Sequence, residues 1–295
     1  MIRLNKHTST YTFSPHNPPA LRVDPGITIQ FETLDALNEQ IGPDADNNAA
    51  TKIDLDQVNA ATGPVYIKGA RPGDTLVAEI LDIQLAELGS ALIIPGFGFL
   101  QDGIPGPYTR VFPREQDGTY LFGDSIRLEP KPMIGTIGVA PTEPITTLSS
   151  GVHGGNLDTT DIRPGSKVFL PVLVEGALFG VGDVHATMGD GEVCGTGIEC
   201  GAEVTIRLDL LKGYTIPRPR IETKNEWMSV ASAEGLEKAI KLALQDMVSW
   251  LQAEHNLSVE EAYVLVSLVG NVRIGQVVDP MVTVRVAVPK DVFIK

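Results

Sequence analysis

Cysteine is scarce in this chain, at 2 of 295 residues, which is too few for a disulfide framework. Positive charge is also short. Lys and Arg number 23 against 37 Asp and Glu, a net charge of −14. That balance excludes nucleic acid as a partner, because phosphate binding needs a positive surface, and it disfavours anionic membranes. No apolar run approaches the length of a membrane-spanning helix. The stretch Met1–His7 lacks the apolar core of a signal peptide, so a cytoplasmic location is the expectation. Internal repeats are absent, as is the His-Glu-x-x-His spacing of many zinc sites.

What remains is an ordinary globular composition, 43% hydrophobic and 20% charged. A chain this long buries a sizeable core, as one large domain or two joined ones. Residues 1–215 read as a β-rich body, sandwich- or barrel-like, and 216–295 as an α+β portion packed on it. Ile27–Leu34 alternates apolar and polar side chains, the pattern of a half-buried strand, and delivers Asp35 to its end. The polar loop Gly42–Asn48 lacks the full calcium-loop pattern and reads as a solvated turn. Two strands flank the turn Arg71-Pro-Gly-Asp74. Residues 93–120, crowded with Gly, Pro and aromatics, read as a loop that walls an apolar pocket or simply connects strands. Further on, Leu236, Ala239, Ile240, Ala243, Leu244, Met247, Val248 and Leu251 recur at helical spacing. Ser258-Val-Glu-Glu261 reads as a capping box opening a second helix. Met281–Pro289 alternates like a strand.

Chemistry-bearing residues concentrate in two Gly-rich segments, Gly151–Asp161 and Gly182–Cys200. Together they hold two of the five histidines and both cysteines. The apolar run Lys167–Phe179 between them reads as a buried strand, which would let both segments reach one pocket. Their motifs, His153-Gly-Gly-Asn156-Leu-Asp158, Gly182-Asp183, His185 and Gly189-Asp-Gly-Glu-Val-Cys-Gly-Thr-Gly-Ile-Glu199, resemble the signature of the acetamidase/formamidase family. The resemblance extends to Thr62–Asp74, Ile134–Pro141, Glu261–Tyr263 and Gln276–Asp279. It implies cleavage of short aliphatic amides to a carboxylate and ammonia, with metal ions in the site. The resemblance implies His-Pro, as in many relatives, where this chain has Asn59-Ala60-Ala61, so any role of that histidine is absent or replaced here.

Hydrolysing an amide needs a strong nucleophile, a polarised carbonyl and a proton for the leaving nitrogen. A divalent metal supplies the first two and a carboxylate the third. The candidate ligands are His153, His185, Asp158, Asp183 and Asp35. Mixed imidazole and carboxylate ligands suit zinc, whereas an oxygen-dominated site suits calcium. Glu192 and Glu199 compete as general acid/base, with Asp190 and Glu143 as further candidates. Asn156 is placed to stabilise an oxyanion or to hold its loop. For each, a turn cap or surface role is the alternative. Cys194 offers a rival mechanism through a thioester, although its acidic neighbours disfavour a thiolate. A calcium-stabilised binding module is the non-enzymatic reading. The expected substrate is a small neutral amide and the expected assembly a homodimer.

Overall fold

Alternation becomes a strand where it is cleanest. In the strand Ile27–Thr33, Ile29, Phe31 and Thr33 are buried while Gln30 and Glu32 stay half-buried. It lies antiparallel to the strand Glu199–Leu211, with Phe31 opposite Val204. The other edge of Glu199–Leu211 carries the longest strand, Thr75–Ile93. The computed structural model describes residues 1–100 and 103–294. Among them, 17 strands join into one curled, mainly antiparallel sheet, and two small ribbons complete a mostly β fold. Ile29, Phe31, Leu76, Ile80, Ile137 and Ile206 meet in the core it encloses.

The apolar run Lys167–Phe179 is not one strand. Lys167–Pro171 ends at a proline, which cannot donate to the ladder, and the chain reverses through Ala177 and Leu178 at positive φ. A second strand, Phe179–His185, then runs back, buried at all seven positions. The strand Met133–Gly138 joins the two signature segments. Its Thr136 lies opposite Asn156 on one edge and opposite Gly182 on the other. The segments therefore converge, as the sequence suggested.

Of residues 93–120, the described part of 94–107 is the expected loop, and its residues 94–97 wall an apolar cavity, but the rest departs from it. Tyr108–Pro113 is a strand paired with Leu88–Ile93, because Tyr-Thr-Arg-Val-Phe supplies β-branched and aromatic side chains after Pro107. Tyr120–Phe122 pairs with Ile126–Leu128. Gln101 and Asp102, within that region, lie outside the described residues. In the polar loop, Asp46 accepts a hydrogen bond from the Asn48 N–H at 2.9 Å and caps a short helical turn.

The helical periodicity yields α1, Leu236–His255, which buries Ala239, Ala243, Met247 and Leu251 against Val284 and Val286. The capping box opens α2, Val259–Val269: Ser258 Oγ accepts from the Glu261 N–H at 3.1 Å, and the Glu261 carboxylate accepts from the Ser258 N–H at 2.8 Å. The strands Glu226–Ala233 and Val282–Pro289 beneath α1 continue the main sheet. No helix among the described residues is long and apolar enough to cross a membrane.

Candidate active site

At the end of Phe179–His185, His185 is buried among carboxylates. Its Nε2 lies 3.1 Å from Asp183 Oδ1 and 3.1 Å from Glu199 Oε2. Asp158 Oδ1 and Glu192 Oε1 each lie 4.0 Å away. Of these contacts, the one to Asp183 has hydrogen-bond geometry. Glu199 Oε2 and both carboxylate oxygens of Asp158 are thus buried without a hydrogen-bond donor. The other Glu199 oxygen accepts from the Gly197 N–H at 2.8 Å.

Three of these acids sit on left-handed backbone: Asp158 at φ 40°, Asp183 at φ 54° and Glu192 at φ 47°. Such conformations are costly for residues with a Cβ, and they persist only where the surroundings over-determine them. Tertiary packing therefore holds the carboxylates together against local preference. Gly135 leaves the space they fill. A Cβ there would stand 2.3 Å from Asp158 Oδ1 and 2.4 Å from Asp183 Oδ2.

The electrostatics follow from burial and crowding. Burial opposes charge on His185, but Glu199 and Asp183 outweigh it and hold the imidazole well above its ordinary pKa. Burial, reinforced by Glu192 and Asp183, pushes Asp158 far up. Glu192 rises for the same first reason, eased by His185 and aggravated by Glu199. Burial lifts Glu199 to about 7 against the pull of His185. Burial also opposes ionisation of Asp183, yet His185 holds its pKa below the usual value. Four acids thus crowd one imidazole in a buried site, where their joint ionisation is opposed unless positive charge is added. Orphaned acceptors, crowded acids and enforced backbone together fit a cation. Two triads, Asp158–Asp183–His185 and His185–Glu192–Glu199, each bring ligand atoms within 4.8 Å of one another.

A cavity of about 380 Å³ opens onto the cluster, with Asp183, Glu192 and Glu199 in its wall. Asn156 lines it as well. Its Oδ1 accepts from Asn59 Nδ2 at 2.7 Å and from the Thr136 hydroxyl at 2.6 Å, and its Nδ2 donates to Asp279 Oδ2 at 2.9 Å. Burial raises the Asp279 pKa to about 6.

The remaining candidates lie outside the cluster. The His153 ring packs edge-on against Phe13, with centroids 5.3 Å apart. Burial alone lowers its pKa to about 4, and no carboxylate contributes. Asp35 caps a turn, accepting from the Leu37 and Glu39 N–H groups at 2.9 Å each. Asp190 accepts from Arg285 Nη2 at 2.8 Å and from Thr160 Oγ1 at 2.8 Å. Glu143 is exposed. Asp279 and Asn59 received no role from the sequence. Gln276–Asp279 belongs to the resemblance, and Asn59 occupies the position where relatives carry histidine; those were the available signals.

The acetamidase/formamidase family model matches residues 3–148 and 136–295. The chain belongs to that family. Among solved members, the crystal structure of an acetamidase from Bacillus halodurans superposes with a TM-score of 0.95 at 40% identity, covering 99% of this chain and 98% of that one. An acetamidase from Yersinia enterocolitica gives 0.92 at 32% identity, over 100% and 93% of the two chains. An acetamidase of Mycolicibacterium smegmatis is 27% identical over 264 residues, 68% of this chain and 65% of the relative. A formamidase of Methylophilus methylotrophus is 28% identical over 256 residues, 67% and 63% respectively. The matches thus span somewhat under two thirds of the length of these two curated relatives.

Cys194 stands apart from the cluster of this family member. Its thiol donates to the Thr196 carbonyl at 3.4 Å, and it lines a separate hollow with Phe97 and Leu100. Cys194→Ser is expected to retain at least about half of the wild-type turnover, because among the described residues the sulfur's hydrogen-bond partner is Thr196, which is no base. Loss of turnover in a folded, metal-loaded variant would restore the thioester mechanism.

Proposed function

We propose that the protein hydrolyses small carboxamides to a carboxylate and ammonia at the His185 cluster, with a divalent metal held by Asp158, Asp183 and His185. The observation that carries this reading is the buried, donorless carboxylate oxygens at the end of a cavity open to a neutral ligand. A resident metal supplies a lowered pKa for water and polarisation of the amide carbonyl. Zinc is the first candidate because imidazole and carboxylate combine here, and calcium follows from the dominance of oxygen.

The protein's own groups do the rest. Glu192 lies 4.0 Å from His185 in the cavity wall, where burial raises its pKa and so makes its carboxylate a stronger base. It accepts the proton of the attacking water and delivers it to the leaving nitrogen as the C–N bond breaks. Glu199, fixed by the Gly197 N–H, keeps the His185 ring in place. Asn156 gives one amide hydrogen to Asp279 and has a second for the carbonyl oxygen of the substrate, where charge develops. The net charge of −14 suits a neutral substrate. Free Cys194 and Cys200 support a reducing, cytoplasmic setting, and the exposed Tyr263, Val264 and Leu268 on α2 support a homodimer.

The test is ammonia release from acetamide and formamide, with metal content followed in parallel. Activity is expected to disappear with chelation and return with zinc or calcium. Undiminished activity in fully metal-free protein would overturn the metal role, and no ammonia from any amide would overturn the amidase reading.

A further inference from the structure

The cavity is far larger than acetamide or formamide requires. At about 30 Å³ per water-sized group, 380 Å³ accommodates on the order of a dozen heavy atoms. Acetamide has four. The cavity is also two-ended in its chemistry. Its charged and amide groups, Asn59, Asn156, Asp183, Glu192, Glu199 and Asp279, belong to the hydrolytic end, and the Thr196 hydroxyl, which also lines it, is taken up by the Leu92 carbonyl. Leu37, Leu55, Val58, Ile94, Phe97 and Leu148 make up an apolar remainder. Those residues come from four separate segments of the chain, so the apolar chamber is a tertiary construction and not one greasy loop.

Two details show that this chamber is shaped. The Phe97 ring is seated on Gly195, where a Cβ would lie 2.3 Å from the ring edge. Gly195 is at φ +92°, within the Cys194-Gly-Thr196 turn that follows Glu192. The turn after the proton-carrying glutamate thus also sets the aromatic wall. At the rim, Leu55 remains 61% exposed and Leu148 39% exposed. Both are more exposed than the leucines of the core, and they flank the opening through which a ligand tail would lie.

Resting on the amidase reading above, we infer that the preferred substrate is a primary carboxamide bearing an apolar acyl group of about five to eight carbons, with its tail against Phe97, Ile94 and Leu55. The reaction is unchanged: water adds to the carbonyl carbon, the C–N bond breaks, and the water proton leaves on ammonia. The added methylenes stay bound through the transition state, so they raise kcat/KM chiefly by lowering KM. Each methylene taken out of water gains about fourfold in binding, less at an open rim.

The experiment compares formamide, acetamide, butyramide, hexanamide and 3-phenylpropanamide on the metal-loaded protein. Hexanamide is expected to exceed acetamide in kcat/KM by at least about thirtyfold, with most of the change in KM. Leu55→Asp, at an exposed position that does not threaten folding, is expected to cut the hexanamide-to-acetamide ratio at least fivefold. Acetamide turned over as efficiently as hexanamide, or a ratio unmoved by Leu55→Asp, would overturn the chamber's role while leaving the amidase reading intact. No ammonia from any of the five amides would overturn both.

Discussion

Asp158→Asn is expected to lower amide turnover by at least about a thousandfold and to strip the protein of its divalent metal. Asp158 has no exposed surface, and neither of its carboxylate oxygens meets a donor. In the metal-free state it is therefore a buried acid, crowded by Glu192 and Asp183. A cation relieves that state and an amide nitrogen cannot. A Lewis acid contributes several kcal/mol to stabilising the charge of the transition state, and about 4 kcal/mol corresponds to a thousandfold in rate. The same substitution is expected to raise the melting temperature of the metal-free protein by a few degrees, because the neutral amide escapes the cost of burying an ionisable carboxyl among other acids. Wild type should gain stability when metal is added and the variant should not, since only a native-state binder shifts the unfolding equilibrium. Metal analysis, calorimetry and ammonia release check the three effects together. Full metal content with unchanged turnover would move the site away from Asp158.

Gly135→Ala should be nearly as damaging although it removes no functional group. The added methyl would stand 2.3 Å from Asp158 Oδ1, 2.4 Å from Asp183 Oδ2 and 2.9 Å from Asp183 Cγ. Both side chains are short, buried and anchored on left-handed backbone, so neither can swing aside without moving the chain. Overpacking of this kind costs about 1–3 kcal/mol in stability. A displacement of the ligands by about 1 Å costs about a hundredfold in rate. Gly42→Ala is the control, because a Cβ there meets nothing within 4 Å on an exposed turn. A Gly135→Ala protein with wild-type turnover and metal content would show that the two acids do not need their present positions.

Much of the scaffold was legible because it depends on local periodicity. Ile29, Phe31 and Thr33 bury as a period of two requires, and Ala239, Ala243, Met247 and Leu251 bury as a helical period requires. The capping box at Ser258 depends on four consecutive residues, so nothing distant could overrule it. Where the reading failed, a longer-range effect or local punctuation prevailed. Tyr108–Pro113 became a strand because Leu88–Ile93 offered it an edge, and the run after Lys167 broke at Pro171.

The division within the site has the same physical origin. Sequence by itself determined the family, the dense set of acids and histidines, and their delivery on Gly-rich segments beside strands. It had no means of ranking the acids. Asp190 and Glu192 stand two residues apart in the same turn, yet Arg285, 95 positions away, draws Asp190 outward while Glu192 turns towards His185. His153 and Asp158 share one motif, but the first packs on Phe13 and the second enters the cluster. Asp279 and Asn59 reach the cavity from segments far in sequence from the two Gly-rich ones, where the resemblance marked the positions but assigned neither residue a role. Which carboxylates lose water and crowd one another is a property of distances between remote residues. Those distances, and the pKa shifts they produce, were decided only when the strand Met133–Gly138 paired on both edges and brought the two segments together.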